Sequence, residues 1–183
     1  MNKAYILLAE GFEVIEALAT IDVMQRGGME CIRVAIGNEL NVKSSHNIIE
    51  CRADILLRDA DLADGAALIL PGGNPGYINL GKCEQVREWV RRYYDEGRVV
   101  AAICGAPTVL ALSDVARGSR ITCHSSVREQ MTDYNVVGGN VVEEGNLITG
   151  AGAGVSVEFA LAVAARLTDT ETLARIKRGM EVE

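Results

Sequence analysis

Cys104 is the residue of this sequence best placed for covalent chemistry. It follows the apolar run Val99-Val100-Ala101-Ala102-Ile103 and precedes Gly105-Ala106-Pro107-Thr108-Val109-Leu110-Ala111-Leu112. That pattern predicts a buried strand, a sharp turn and a helix with proline in its first turn. A thiol at such a turn faces the positive end of the helix dipole and free backbone N–H groups, which favour its nucleophilic thiolate. None of the other four cysteines has this setting. Cys31 and Cys51 fall in strand-like runs as small packing residues, and Cys123 adjoins His124 as a secondary redox thiol.

Three further features supply companions for that thiol. Pro71-Gly72-Gly73-Asn74-Pro75-Gly76 closes an apolar run. Its glycines permit close backbone approach to a ligand and can aim N–H groups at an anion. With the N–H groups of Gly105 and Ala106 they would form an oxyanion hole for an adduct on sulfur; the alternative is a plain tight turn. Glu16 stands near the start of a helical pattern among Ile15, Ala17 and Leu18. It is either a surface carboxylate complementing the helix dipole or a buried, neutral carboxyl that hydrogen-bonds the sulfur and relays a proton. His124 ends a brief apolar run, 121–123, some twenty positions beyond Cys104. It is either a structural hydrogen-bonder or a member of the site. His46, among Ser44, Ser45 and Asn47, reads as a loop residue.

Elements must exist to bring these groups together. Short apolar runs at 5–9, 31–36, 66–70, 99–103, 141–144 and 147–149 alternate with helical patterns at 13–26, 84–96, 155–167 and 171–178. Residues 47–57 predict one or two short strands, 136–137 another, and 126–132 a short helix. The alternation predicts an α/β domain with a mainly parallel central sheet. Ligands of such sheets bind beyond the carboxyl ends of the strands, where the loops carrying Glu10-Gly11, Gly72-Gly73, Cys104, His124 and Gly150–Gly154 would converge. The last of these lacks the spacing of a dinucleotide loop and reads as a pocket-lining helix start.

Composition bounds the function. The 183 residues suit one domain, 1–183, and the net charge of -7 lacks the basic stripe of a nucleic-acid partner. No run is apolar enough to span a bilayer, and residues 1–10 read as a first strand rather than a signal peptide. Five cysteines without CxxC or paired spacing favour reduced thiols in a cytoplasm over disulfides or a zinc site.

These motifs, in this order, resemble the ThiJ/PfpI superfamily in its parkinsonism-linked deglycase (DJ-one) branch. The resemblance runs along nearly the whole chain and is carried by Glu10-Gly11-Phe12-Glu13-Val14-Ile15-Glu16-Ala17, Leu70-Pro71-Gly72-Gly73-Asn74, Ala101-Ala102-Ile103-Cys104-Gly105-Ala106-Pro107 and Ser156-Val157-Glu158-Phe159-Ala160-Leu161. It implies a flavodoxin-like three-layer sandwich and a homodimer. It also implies Cys104 as the reactive residue, Glu16 as the helix glutamate, His124 as the nearby histidine and Gly73 as a backbone donor to sulfur. Asp22 and Cys51 fall where the family has dimer-contact residues. Gly105 stands where the protease-like branch has a histidine, which disfavours a Cys-His dyad of that kind. The lack of any histidine after His124 disfavours a glutamine amidotransferase, and Ala151 replaces an arginine found in some relatives.

The leading functional expectation is therefore a glyoxalase III or deglycase type of enzyme, needing no cofactor or metal. Its substrate would be a small α-oxoaldehyde or a glycated protein, with Cys104 as nucleophile and Glu16 as proton shuttle. The alternative is an oxidative-stress sensor or chaperone in which Cys104 oxidises to the sulfinic acid. A step in thiazole monophosphate biosynthesis, linked to the ThiJ line, is specified by no residue here.

Overall fold

The computed structural model describes residues 3–182; Met1, Asn2 and Glu183, which the sequence reading includes in its domain, lie outside the described residues. The elements in chain order are β1 (Lys3–Leu8), α1 (Val14–Arg26), β2 (Glu30–Ala35), β3 (Asn41–Lys43), β4 (Glu50–Arg52), β5 (Ile55–Leu56), β6 (Ala67–Leu70), α2 (Gly76–Lys82) and α3 (Glu84–Asp95). There follow β7 (Val99–Ile103), α4 (Pro107–Leu112), β8 (Arg120–Ile121), β9 (Asn135–Val136), β10 (Val141–Glu144), β11 (Leu147–Gly150), α5 (Ser156–Ala165) and α6 (Thr170–Gly179). The main sheet has the order β10-β11-β7-β6-β1-β2-β5. All its pairings are parallel except β10–β11, a hairpin turned by Gly145-Asn146 with Gly145 at φ 61.

The sheet is covered on both faces, and alternation along its strands shows it. Ala4, Ile6 and Leu8 pack with Ala17, Met24, Phe159 and Val163 on the α1/α5/α6 side. Tyr5 and Leu7 pack with Leu80, Val90, Val109 and Leu110 on the α2/α3/α4 side. Strands buried on both faces need apolar residues at every position rather than every second one. That is why 66–70 and 99–103 read as continuous apolar runs. The result is a flavodoxin-like three-layer α/β sandwich. The chain leaves β1 toward one face and β6 toward the other, opening a crevice above their carboxyl ends.

Several elements differ from the sequence reading. β3 is three residues long with Val42 its one apolar residue, and α2 is a seven-residue helix with glycines at 76 and 81, so neither shows a periodic pattern. The run at 121–123 is a strand only as far as Ile121, and it pairs with β9 in a separate two-stranded sheet rather than joining the main one. His124 thus approaches the site from outside the sheet. The segment expected as a short helix is a 3₁₀ turn, Ser125–Gln130. Among the described residues no helix is long and apolar enough to cross a membrane.

Candidate active site

Cys104 follows β7 directly and adopts φ 66, a left-handed conformation that a non-glycine residue holds at a cost of about 1–3 kcal/mol. Hydrogen bonds on both sides hold it there. Its N–H donates to the Gly150 carbonyl at 2.9 Å, and its carbonyl accepts the His124 N–H at 2.9 Å. The strained elbow turns the side chain away from the strand and toward the start of α1.

Glu16 lies in the first turn of α1, yet only 1% of it is exposed. It is therefore not a surface carboxylate. Its Oε2 accepts the Gly72 N–H at 2.7 Å, while Oε1 is buried and reached by no N–H or O–H donor. The Cys104 thiol directs its hydrogen bond at this same carboxyl. Burial raises Glu16 from 4.5 to about 7, opposed by the Gly72 N–H and the thiol and assisted by the charge of Glu13. A buried carboxyl with one oxygen lacking a donor is best accommodated with its proton on that oxygen.

The thiol departs from expectation. Burial, then the charge of Glu16 and the hydrogen bond to it, push Cys104 up to about 12, against the N–H groups of Gly105 and Gly73. The sequence pattern predicts the opposite direction, and the hydrogen bonds explain why. α4 is six residues long. The Ala106 N–H is spent on the Ile103 carbonyl and the Thr108 N–H on the Gly105 carbonyl, while Pro107 has none. Of the donors at this helix start only Gly105 is left for the sulfur. Ala106 is accordingly no part of an oxyanion hole.

The Gly72-Gly73 loop divides its work. Gly72 serves Glu16, and a Cβ at position 72 would sit 2.7 Å from the Cys104 Cβ and 2.8 Å from Glu16 Oε2. Gly73, at φ 92, turns its N–H to the sulfur. The loop is tied to α1 by the Glu13 N–H on the Gly72 carbonyl at 3.0 Å, and the Glu13 carboxylate accepts Ser45 Oγ at 3.1 Å.

His124 is exposed. Its Nδ1 accepts the Ser126 N–H at 3.2 Å and lies 2.8 Å from Ser126 Oγ, so Nε2 carries the proton. Its ring borders Gly152, where a Cβ would stand 3.4 Å from Cδ2. It is joined to the site through the backbone bond to Cys104, at the rim. Asp22 is paired with Arg26 at 2.7 Å on the outer face of α1, and Cys51 is buried in the β3–β4 hairpin. Neither approaches the thiol by any hydrogen bond or ion pair. Among the described residues no cluster of three His, Cys, Asp or Glu could hold a metal. One residue went unrecognised in the sequence, Tyr77. Its ring packs on Gly105, and the signal for it is a bulky residue a few positions after a glycine pair.

Comparison with known proteins shows the family of the chain. The model of the DJ-1/PfpI family matches residues 2–166. Protein dj-1beta of Drosophila melanogaster is 34% identical over 188 residues, covering 99% of this chain and 97% of that protein. Glutathione-independent glyoxalase DJR-1.2 of Caenorhabditis elegans is 33% identical over 174 residues, covering 93% of this chain and 91% of that protein. The crystal structure of Drosophila melanogaster DJ-1beta superposes with a TM-score of 0.95 at 33% identity, covering 100% of this chain and 98% of that one.

The raised carboxyl makes stability depend on pH. The folded protein holds the Glu16 proton more tightly than the unfolded chain, so stability is highest below pH 4.5 for this group and falls as pH rises through about 7. A displacement from 4.5 to about 7 corresponds to a loss of about 3 kcal/mol. Urea denaturation at pH 5 and pH 8 should show this loss in the wild type and not in Glu16→Gln. Equal pH slopes in the two proteins would remove the buried-acid assignment.

Proposed function

Since the chain belongs to the DJ-1/PfpI family, we propose that it converts small α-oxoaldehydes to hydroxy acids, in the manner of a glyoxalase III or protein deglycase. The observation that carries this reading is the pairing of Cys104 with a buried carboxyl raised to about 7. A relative named as a glutathione-independent glyoxalase supports it. With methylglyoxal, Sγ attacks the aldehyde carbon while Glu16, in the ionised form that a carboxyl titrating at about 7 still populates at neutral pH, takes the thiol proton and passes it to the developing alkoxide. A thiol that keeps its proton at neutral pH needs such a base at hand, and a base near 7 suits neutral solution. The oxyanion meets the Gly73 and Gly105 N–H groups. Glu16 then removes the hydrogen from the hemithioacetal carbon as a proton and returns one to the adjacent carbon. The carbonyl carbon is reduced as the thiol-bearing carbon is oxidised. Water cleaves the resulting thioester to lactate and free thiol, so the sum is methylglyoxal plus water giving lactate. His124 at the rim orients the incoming carbonyl. A glycated protein side chain reaches the same thiol as a hemithioacetal. No metal or cofactor takes part in these steps.

The second reading, a cytoplasmic oxidative-stress sensor or chaperone, draws on the same donors. A sulfinate on Cys104 would accept the Gly73 and Gly105 N–H groups and a proton from Glu16 Oε1. We further propose a homodimer. Ile15 and Leu18 on α1 and Ile48 beside the β3–β4 hairpin are exposed by 54%, 37% and 68%, apolar area that a second copy would cover. Asp22 and Cys51 flank that face.

Lactate formation from methylglyoxal, measured for the wild type, Cys104→Ser and Glu16→Gln, should fall by about 100-fold or more in both variants; unchanged rates would sink the enzyme. Under mild peroxide, mass spectrometry should find Cys104 oxidised well ahead of buried Cys31, and equal rates would leave the sensor without a basis. Ile48→Asp adds a charge at an exposed position and should halve the mass by sedimentation equilibrium while leaving the far-ultraviolet circular dichroism of the folded chain unchanged. A mass equal to one chain already in the wild type would overturn the dimer.

A further inference from the structure

Gly105 supplies one of the two N–H groups that face the Cys104 sulfur, and its reason for being glycine is unusual. Its φ lies outside the left-handed region, so the backbone at 105 would accept an alanine. What forbids a side chain is Tyr77. A Cβ at position 105 would stand 2.6 Å from Tyr77 Cδ1 and 2.8 Å from both Cε1 and Cγ. Cγ is the root of the ring and not its free end, so no small adjustment of the ring tip relieves the contact. Relief takes rotation of the whole side chain into the groove of about 510 Å³ that Tyr77, Ile78 and Leu112 line between α2 and α4.

Tyr77 is also tied to the other donor. Its N–H donates to the Gly73 carbonyl at 2.9 Å, in the first turn of the helix that follows the Gly72-Gly73 loop. One residue thus touches both donor glycines, Gly73 through its own backbone N–H on the carbonyl that follows the donor N–H, and Gly105 by the face of its ring. The two glycines are 32 positions apart and leave different strands, β6 and β7. Beside the β6–β7 ladder and the close approach of Gly72 to Cys104, contact between α2 and α4 helps to set one turn against the other.

We propose that Tyr77 is a positioning residue that sets the spacing of the Gly73 and Gly105 N–H groups about the Cys104 sulfur, and that Tyr77 and Gly105 form an interlocked pair in which the ring occupies the space of a residue-105 side chain. The pair also determines specificity. While Tyr77 is present, position 105 cannot hold a histidine, so a histidine base next to the thiol is sterically excluded and Glu16 is left as the proton partner. The inference rests on the reading of both glycines as donors to sulfur, not on the identity of the aldehyde.

The test reads the thiol directly. Cys104 and Cys31 are alkylated with iodoacetamide and quantified peptide by peptide, Cys31 serving as the buried standard within the same molecule. Gly105→Ala should slow Cys104 by about tenfold or more, in line with displacement of an anion-stabilising donor. Adding Tyr77→Ala to Gly105→Ala should make Cys104 faster than in Gly105→Ala alone, a coupling between touching residues. Tyr77→Phe, which keeps the ring, should rescue the rate that Tyr77→Ala loses. If Gly105→Ala does not fold, recovery of folding by the added Tyr77→Ala is the same steric relief and supports the interlock. A wild-type rate in Gly105→Ala, a double variant no faster than Gly105→Ala, or a Tyr77→Phe as slow as Tyr77→Ala overturns it. A wild type that alkylates in this pattern but forms no lactate would reject the aldehyde activity and leave the interlock standing.

Discussion

The backbone of Gly72 lies wedged between the Cys104 side chain and the Glu16 carboxyl, and the site depends on that fit. There is room for a hydrogen at Gly72 and nothing larger: an added Cβ would meet the Cys104 Cβ at 2.7 Å and Glu16 Oε2 at 2.8 Å. The Gly72 N–H also gives the buried carboxyl its one backbone donor. Close approach and hydrogen bonding thus come from the same peptide, and they bring three separate elements to one point: the loop after β6, the turn after β7 and the first turn of α1.

That convergence decides the electrostatics. A thiol at a helix start would ordinarily be pushed toward its thiolate. Here burial and the neighbouring carboxyl outweigh the dipole, because α4 is short and most of its first N–H groups are already bonded. The consequence is a division of labour. Burial keeps the proton on the cysteine at neutral pH, and desolvation raises the neighbouring glutamate to about 7. The proposed aldehyde chemistry would draw on this pair, with Glu16 serving where the protease-like branch has a histidine after the thiol.

The layers around the site supply rigidity. Cys104 is held in a strained conformation by Gly150 on one side and His124 on the other. The Gly72-Gly73 loop is held by Glu13 from α1 and by Tyr77 from α2, which lie on opposite faces of the sheet. Backbone N–H groups from the two layers, Glu13 on the Gly72 carbonyl and Tyr77 on the Gly73 carbonyl, thus bracket a turn that belongs to the sheet between them. Strain of this kind persists only where the surroundings over-determine it.

Much of this was legible in the chain. The apolar runs at 66–70 and 99–103 announce strands buried on both faces, since each residue meets a helix layer on one side or the other. The order of runs and helical patterns announces the parallel sheet, and Pro107 with the glycine pairs marks the turns that carry the site. What the chain alone determined was thus the set of elements, the elbow cysteine and its candidate companions, because those depend on local patterning. Tertiary structure decided which reading of each residue holds. It buried Glu16 instead of leaving it on the helix surface, reversed the direction of the thiol's proton affinity, set His124 at the rim in the loop after a strand outside the main sheet, and placed Tyr77 over Gly105. Each of these depends on the distance between residues far apart in sequence, and on the water they exclude when they meet.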